Sequence, residues 1–386
     1  MINPPLITVI DRSFQLQAQI DIYTSLMLNR KWQGVGDFQL VLPFSAHGAE
    51  KLVEGNIIML GADGHRSGYI EGVSTGENDS GVTLTVTGKT LQGLAAQRIT
   101  LPDNDDHNYG YDNVPKLTGA VTNPAPAAAE TILKAYAERH LTNPSDSKRK
   151  IPDLVLADDL QRGRKTVWSS RLERLSDVLQ AVCEYCDVGY EIYADLAGKR
   201  FVFDIVTGTD RSFSQSANSR VIFSRGFDNI LTCTYDNDVS PLRNLGYAGG
   251  AGEGKDRIIL KVTPDTTEPE GWARREVFLD CGALEVIETD TAMSLADEGR
   301  HKMQDYTKTE ALTATVADID SFAYLKNWDL GDKATVVSKA IGVQLDTRIT
   351  AVTERYESAN SGIDVTFGSP SADLGRVIKT LKNTAR

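Results

Sequence analysis

The sequence predicts a β-rich α+β fold with two similar β-barrel domains and a mixed α/β accessory domain. Three observations carry that expectation. Gly55–Gly88 and Gly331–Gly368 read as one three-stranded meander written twice. Alternating apolar residues dominate both ends of the chain, whereas helical spacing is confined to a few inner segments. At 386 residues the chain exceeds what one hydrophobic core serves, so it should divide into two to four domains.

Each meander opens with a glycine before an apolar strand, Ile57 to Leu60 in the first and Ala334 to Val337 in the second. A turn leads to an alternating strand, Tyr69 to Val73 or Arg348 to Val352. A Ser-Gly turn then precedes the third strand, with Val82, Leu84 and Val86 matched to Ile363, Val365 and Phe367. The period of two puts each apolar trio on one face. Two similar units per chain would let three subunits present six units in a ring, so that a threefold object could dock on a sixfold one.

Residues 1–100 read as the first β-barrel domain. Leu16-Ala18-Ile20-Ile22 and Phe38-Leu40-Leu42 alternate, and a helix is expected from Thr90 to Arg98. Residues 101–219 form the accessory domain. It begins with a polar connector, Leu101 to Ala127, and continues with helices at Ala128–His140 and Arg171–Asp187. Strands follow at Gly189–Ala194 and Arg200–Val206. Residues 220–262 and 310–370 make the second β-barrel domain, including a strand at Arg257–Val262. A helical insertion at 263–309, with its helix at Thr291–Thr307, interrupts it, and 371–386 form an amphipathic tail.

Composition excludes several classes. A hydrophobic share of 41% with 24% charged residues is ordinary for a soluble globular protein. The net charge of -12 argues against a protein that grips nucleic-acid phosphates, which needs clustered cations. An acidic wall suits DNA sliding past. No apolar run is long enough to span a membrane, and the N-terminus lacks the pattern of a secretory signal, so folding in a cytoplasm is expected.

No chemical motif in the sequence is complete, so no catalytic, cofactor-binding or metal-binding residue is expected. Cys183 and Cys186 form a CxxC, but at the end of a helix, where the dipole does not favour a thiolate, and Cys233 and Cys281 supply no paired spacing for zinc. Gly249, Gly254 and Lys255 match a phosphate-loop pattern. Asp256, however, stands where Ser or Thr must hold magnesium, and a strand follows where a helix is required. Asp103, Asp105, Asp106 and Asp112 are out of register for a calcium loop. Arg139 and Lys148-Arg149-Lys150 are the densest basic cluster and read as a solvated loop. His47, His65, His107, His140 and His301 show no zinc-protease spacing, and Trp32, Trp168, Trp272 and Trp328 are too dispersed for a carbohydrate platform. An acidic pair for cell-wall hydrolysis remains an alternative among 53 acidic residues, as does a receptor-binding module.

The runs GDFQLVLP (36–43), VTGKTLQGLAAQR (86–98), NLGYAGGAGEGKDR (244–257), RREVFLD (274–280), DLGDKATV (329–336) and RITAVTERYESANSGIDVTFG (348–368) resemble the gene-product-thirty-seven-like siphovirus tail proteins. The matches span the chain in order. That family is similar to phage baseplate hubs and to the N-terminal part of tail-associated lysins. The resemblance implies two barrels per subunit, a homotrimer with a pseudo-sixfold ring on the tail tube, and a place at the virion tail tip. It also implies contacts with a distal tail protein, a tape-measure protein and receptor-binding or spike proteins. DNA would pass through the lumen without sequence-specific binding, and no catalytic residue is carried over.

Overall fold

The computed structural model describes residues 3–79, 81–101, 111–116, 125–264, 267–282, 293–317, 322–357 and 361–369. Asp103, Asp105, Asp106, His107, Ser80 and the 371–386 tail therefore lie outside the described residues.

The first unit contains β1 (Ile7–Ile10), β2 (Leu16–Ile20), β3 (Ser25–Lys31), β4 (Asp37–Pro43), β5 (Ile57–Leu60), β6 (Asp63–Asn78) and β7 (Gly81–Thr90). All pair antiparallel in the order β3-β4-β7-β6-β5-β1-β2. In β3 and β4 only alternate residues are buried, Leu26 and Leu28 facing Phe38, Leu40 and Leu42 in one core. β1 and β5 are apolar throughout because both faces are covered: Ile7, Val9, Ile58 and Leu60 enter that core, while Ile10, Ile57 and Met59 enter the next. The expected barrel is not closed, since among the described residues no ladder joins β2 to β3. The expected Thr90–Arg98 helix is one turn, Gly93–Ala96, because Thr90 still pairs with Gly68 in β7.

The mixed segment packs α1 (Ala129–Ala137) and α2 (Leu175–Cys186) on the antiparallel pair β8 (Gly189–Asp195) and β9 (Arg200–Val206), with Leu154–Leu156 added parallel to β9. Ile132, Leu133 and Tyr136 of α1 meet Val178, Leu179 and Val182 of α2. This core is continuous with Ile57, Met59 and Tyr69 of the first unit. α1 runs into a π-helical turn at Glu138–Thr142. α2 starts later than Arg171 because Leu172 has a left-handed backbone and Arg174 is extended, and it ends at left-handed Asp187.

The second unit starts with β10 (Ile222–Ser224) and β11 (Ile230–Asp238). An insertion follows: β12 (Leu245–Gly249), β13 (Ile259–Val262), β14 (Glu276–Asp280) and α3 (Leu295–Met303), the helix capped by the reciprocal Ser294–Asp297 box. These strands form their own sheet, β13-β12-β14, with Ala248, Val262, Leu279 and Met303 beneath the helix. The strand expected in the second β unit at Arg257–Val262 therefore belongs to the insertion, which is not purely helical. Its apolar alternation could not say which sheet would receive it.

The unit resumes with β15 (Thr309–Val316), β16 (Lys333–Ser338), β17 (Val343–Glu357) and β18 (Gly362–Ser369). The order is β11-β15-β18-β17-β16-β10, again not closed. Phe223, Phe322, Trp328 and Phe367 cluster in its core, with ring centroids 4.8–6.3 Å apart.

The two units share connectivity and register. β5-β6-β7-β4-β3 corresponds to β16-β17-β18-β15-β11. Gly55 and Gly331 both have positive φ, at 82° and 89°, which glycine adopts without strain. The Gly55 amide donates to the Ile70 carbonyl at 2.9 Å, and the Gly331 amide donates to the Ile349 carbonyl at 2.9 Å. Each long strand then bulges at the equivalent point, between Ile70 and Gly72 and between Ile349 and Ala351. The register makes Leu84 and Val86 equivalent to Ile363 and Val365, and Gly88 equivalent to Phe367, so the expected matching of Val82, Leu84 and Val86 with Ile363, Val365 and Phe367 is two residues out. The sequence pairing of Gly88 with Gly368 is thus one residue out. A Cβ at Gly88 would lie 2.5 Å from the Phe38 ring, so Phe38 of the neighbouring strand fills the space that Phe367 fills in the second unit.

Candidate functional site: the strand junction

The two units meet by strand pairing. The second half of β17 runs antiparallel to β3, from Ala351 opposite Lys31 to Glu357 opposite Ser25, so both units lie on one continuous sheet. β17 is long enough to serve twice, its first half pairing with β16 and its second with β3.

Charge is buried at this junction. Glu354 has no exposed surface; the Arg66 guanidinium donates to it through Nε at 3.0 Å and through a second, short contact from Nη2. Arg66 also donates to the Tyr356 hydroxyl at 2.8 Å, and that hydroxyl donates to Glu354 at 2.6 Å. Arg30 donates to Tyr324 at 2.6 Å and to Asp329 at 3.0 Å. Burial opposes the charged form of Arg66, but its bonds to Glu354 outweigh that and raise its pKa. Burial, followed by the Glu354 charge, pushes the Tyr356 hydroxyl well up. A forked guanidinium on a carboxylate is directional, so the network sets how the two units sit.

A second contact joins the insertion to the mixed segment. His301 of α3 stacks on Trp168 with centroids 4.1 Å apart and meets the edge of Tyr185 at 4.3 Å. Both imidazole nitrogens are buried without a hydrogen-bond partner among the described residues. Burial lowers its pKa to about 4; Asp297 raises it, and Arg164 and Arg300 lower it further.

The residues flagged from sequence do not converge on a reactive centre. Cys183 and Cys186 are buried in α2, where burial raises the first thiol well above its ordinary range and the second to about 11, the opposite of an activated pair. Cys281 is raised to about 12 by burial. In the native chain Cys233, partly exposed on β11, is expected to react with a thiol reagent at neutral pH well before the other three, a difference that mass spectrometry of alkylated protein reads directly.

The Gly249–Asp256 stretch lies between β12 and β13, and Arg257 turns back to donate to the Gly249 and Gly250 carbonyls at 3.0 and 2.8 Å. Asp112, weighed as a calcium ligand, instead accepts from Arg139 and contacts His140 at 2.6 Å in the interior. Arg139 is accordingly part of a buried ion pair and not of a solvated basic loop. Trp32, Trp168 and Trp328 are buried, and Trp272 is fully exposed. Sequence reasoning missed Arg66 and Glu354, which are separated by 288 residues; a Glu on the core-facing register of an alternating strand was the available signal. No described helix is long and apolar enough to cross a membrane.

Two sheet units of like topology sharing one ladder define the fold class. The same fold occurs in phage tail proteins. The 43 kDa tail protein of prophage MuSo2 from Shewanella oneidensis aligns with a TM-score of 0.58 at 14% identity, covering 95% of this chain and 98% of that one. A tail protein from Neisseria meningitidis MC58 aligns at 0.54 and 12%, over 95% and 96% of the two chains. Prophage tail protein gp18 from Listeria monocytogenes EGD-e aligns at 0.53 and 10%, over 98% and 99%. The chain belongs to the Siphovirus ReqiPepy6 Gp37-like protein family, whose profile matches residues 6–369. No curated protein sequence matches it.

Proposed function

We propose that the chain is a structural hub at the distal end of a siphovirus tail, a homotrimer whose six β units form a ring with sixfold pseudo-symmetry. The observation that supports this most directly is the repeated topology: two units with the same strand order, glycine turn and bulge are already set side by side through β3 and β17. Three such chains around an axis offer a sixfold tail tube six similar surfaces.

In this reading the upper face meets the distal tail protein, and receptor-binding or spike proteins attach below. The ring stays shut until adsorption and then lets the tape-measure protein and DNA through. The net charge of -12 disfavours tight contact with passing DNA. The function is mechanical and needs no cofactor or catalytic group. Light scattering of the purified chain is expected to give three times the chain mass, with negative-stain class averages showing a six-lobed ring. A chain that stays monomeric both alone and mixed with its distal tail protein would overturn the reading.

A further inference from the structure

Where the first unit's β6 corresponds to β17, the strand partner is missing. β17 beyond its bulge has β18 on one side and β3 on the other. β6 beyond its bulge has β7 on one side only, and its outer edge from Gly72 to Glu77 carries no strand among the described residues. The equivalent of β3 is β11, which pairs with β15 and likewise has an outer edge without a strand among the described residues. Exposure agrees with a contact left open: Val352 is 0% exposed under β3, whereas its counterpart Val73 is 45% exposed.

We infer that the Gly72–Glu77 edge of β6 takes the β11 edge of a second copy of this chain as an antiparallel strand, repeating the β17–β3 junction between subunits. This rests on the ring reading and assigns its subunit contact. Register transfers from the in-chain pairs. Phe38 opposite Gly88 and Leu312 opposite Phe367 make Leu28 equivalent to Tyr235 through the β3–β4 and β11–β15 ladders. Glu354 opposite Leu28 then becomes Thr75 opposite Tyr235 of the second copy, and Tyr356 opposite Leu26 becomes Glu77 opposite Cys233. The core-facing residues of the new contact are Val73, Thr75 and Glu77 against Cys233, Tyr235 and Asn237.

Charge differs between the two junctions. Inside the chain Arg30 and Lys31 accompany Glu354 and Glu357; across the inferred contact Glu77 meets an edge bearing Asp236 and Asp238. Like charge on exposed edges keeps free chains from pairing indiscriminately. Screening it favours the contact, and in about 1 M salt the screening length is only about 3 Å.

The register names its own test. Directly opposed strand residues have Cα atoms about 4.5–5.5 Å apart, within disulfide reach, while diagonal neighbours lie about 7–8 Å apart. Glu77→Cys, oxidised mildly in about 1 M salt, is expected to link to native Cys233 of the next copy and to run as covalent species up to a trimer on non-reducing gels. Cys233→Ser in the same background should abolish the bands, and Thr75→Cys, one diagonal step away, should link several-fold less. No linkage in a preparation that light scattering finds trimeric overturns this contact while leaving the ring. A chain that stays monomeric and unlinked in high salt, both alone and mixed with its distal tail protein, overturns both, and a ladder running past the trimer overturns the closed ring while keeping the pairing.

Discussion

Arg66→Met is expected to destabilise the protein by about 3–5 kcal/mol, the range for removing one partner of a buried ion pair. The substitution leaves Glu354 without exposed surface and with only the Tyr356 hydroxyl as donor among the described residues. Unpaired, that buried charge draws water into the junction, which loosens the β17–β3 ladder. The cost comes from the stranded charge and not from a large net worth of the pair. Arg66→Met combined with Glu354→Leu is therefore expected to recover most of the loss. Urea unfolding of the wild type, the single variant and the double variant checks this. A single variant that unfolds at the wild-type midpoint would mean that the pair has no structural role.

Acidification should release the insertion through His301. The folded pKa near 4 lies below the ordinary value of 6.5, because burial among Trp168, Tyr185 and Met303's helix disfavours the imidazolium. Below pH 6.5 the unfolded or undocked state binds a proton that the native state does not, so this contribution is intact above pH 6.5. It is lost as pH falls toward 4, by about 3 kcal/mol in all. His301→Phe keeps an aromatic ring between Trp168 and Tyr185 but cannot titrate. The measurement is thermal unfolding of both forms from pH 7 to 4. The wild type should lose more stability than the variant across that window, and parallel curves would refute the assignment.

Much of the β architecture was legible in the sequence because strands that bury one face must alternate. Phe38, Leu40 and Leu42 sit on the core face as their spacing requires, as do Ala18 and Ile20, whereas Leu16 and Ile22 at the ends of that alternation are exposed. The repeat was legible too, since each meander needs a residue tolerant of positive φ at its start, and glycine at 55 and 331 marks both. The helix α2 was recognisable in place but expected too long at both ends, because left-handed positions at Leu172 and Asp187 carry no periodic signature. Of the candidate site only Glu354, on the core-facing register of an alternating strand, left a mark in the sequence, and nothing there named Arg66 as its partner. Alternation says which face a residue takes, not which strand will lie beside it.

The sequence by itself determined which segments are strands, which faces they bury and that one meander occurs twice, because these depend on local spacing and backbone freedom. It also made family membership readable through short runs spread along the chain. Tertiary structure alone decided that neither β unit closes into a barrel among the described residues, that β13 leaves the second unit for the insertion, and that β17 crosses to β3. It alone brought Arg66 to Glu354. The physical reason is that ladder hydrogen bonds are made by backbone groups common to every residue. A strand edge therefore accepts many partners, and only the packing of the whole chain selects among them.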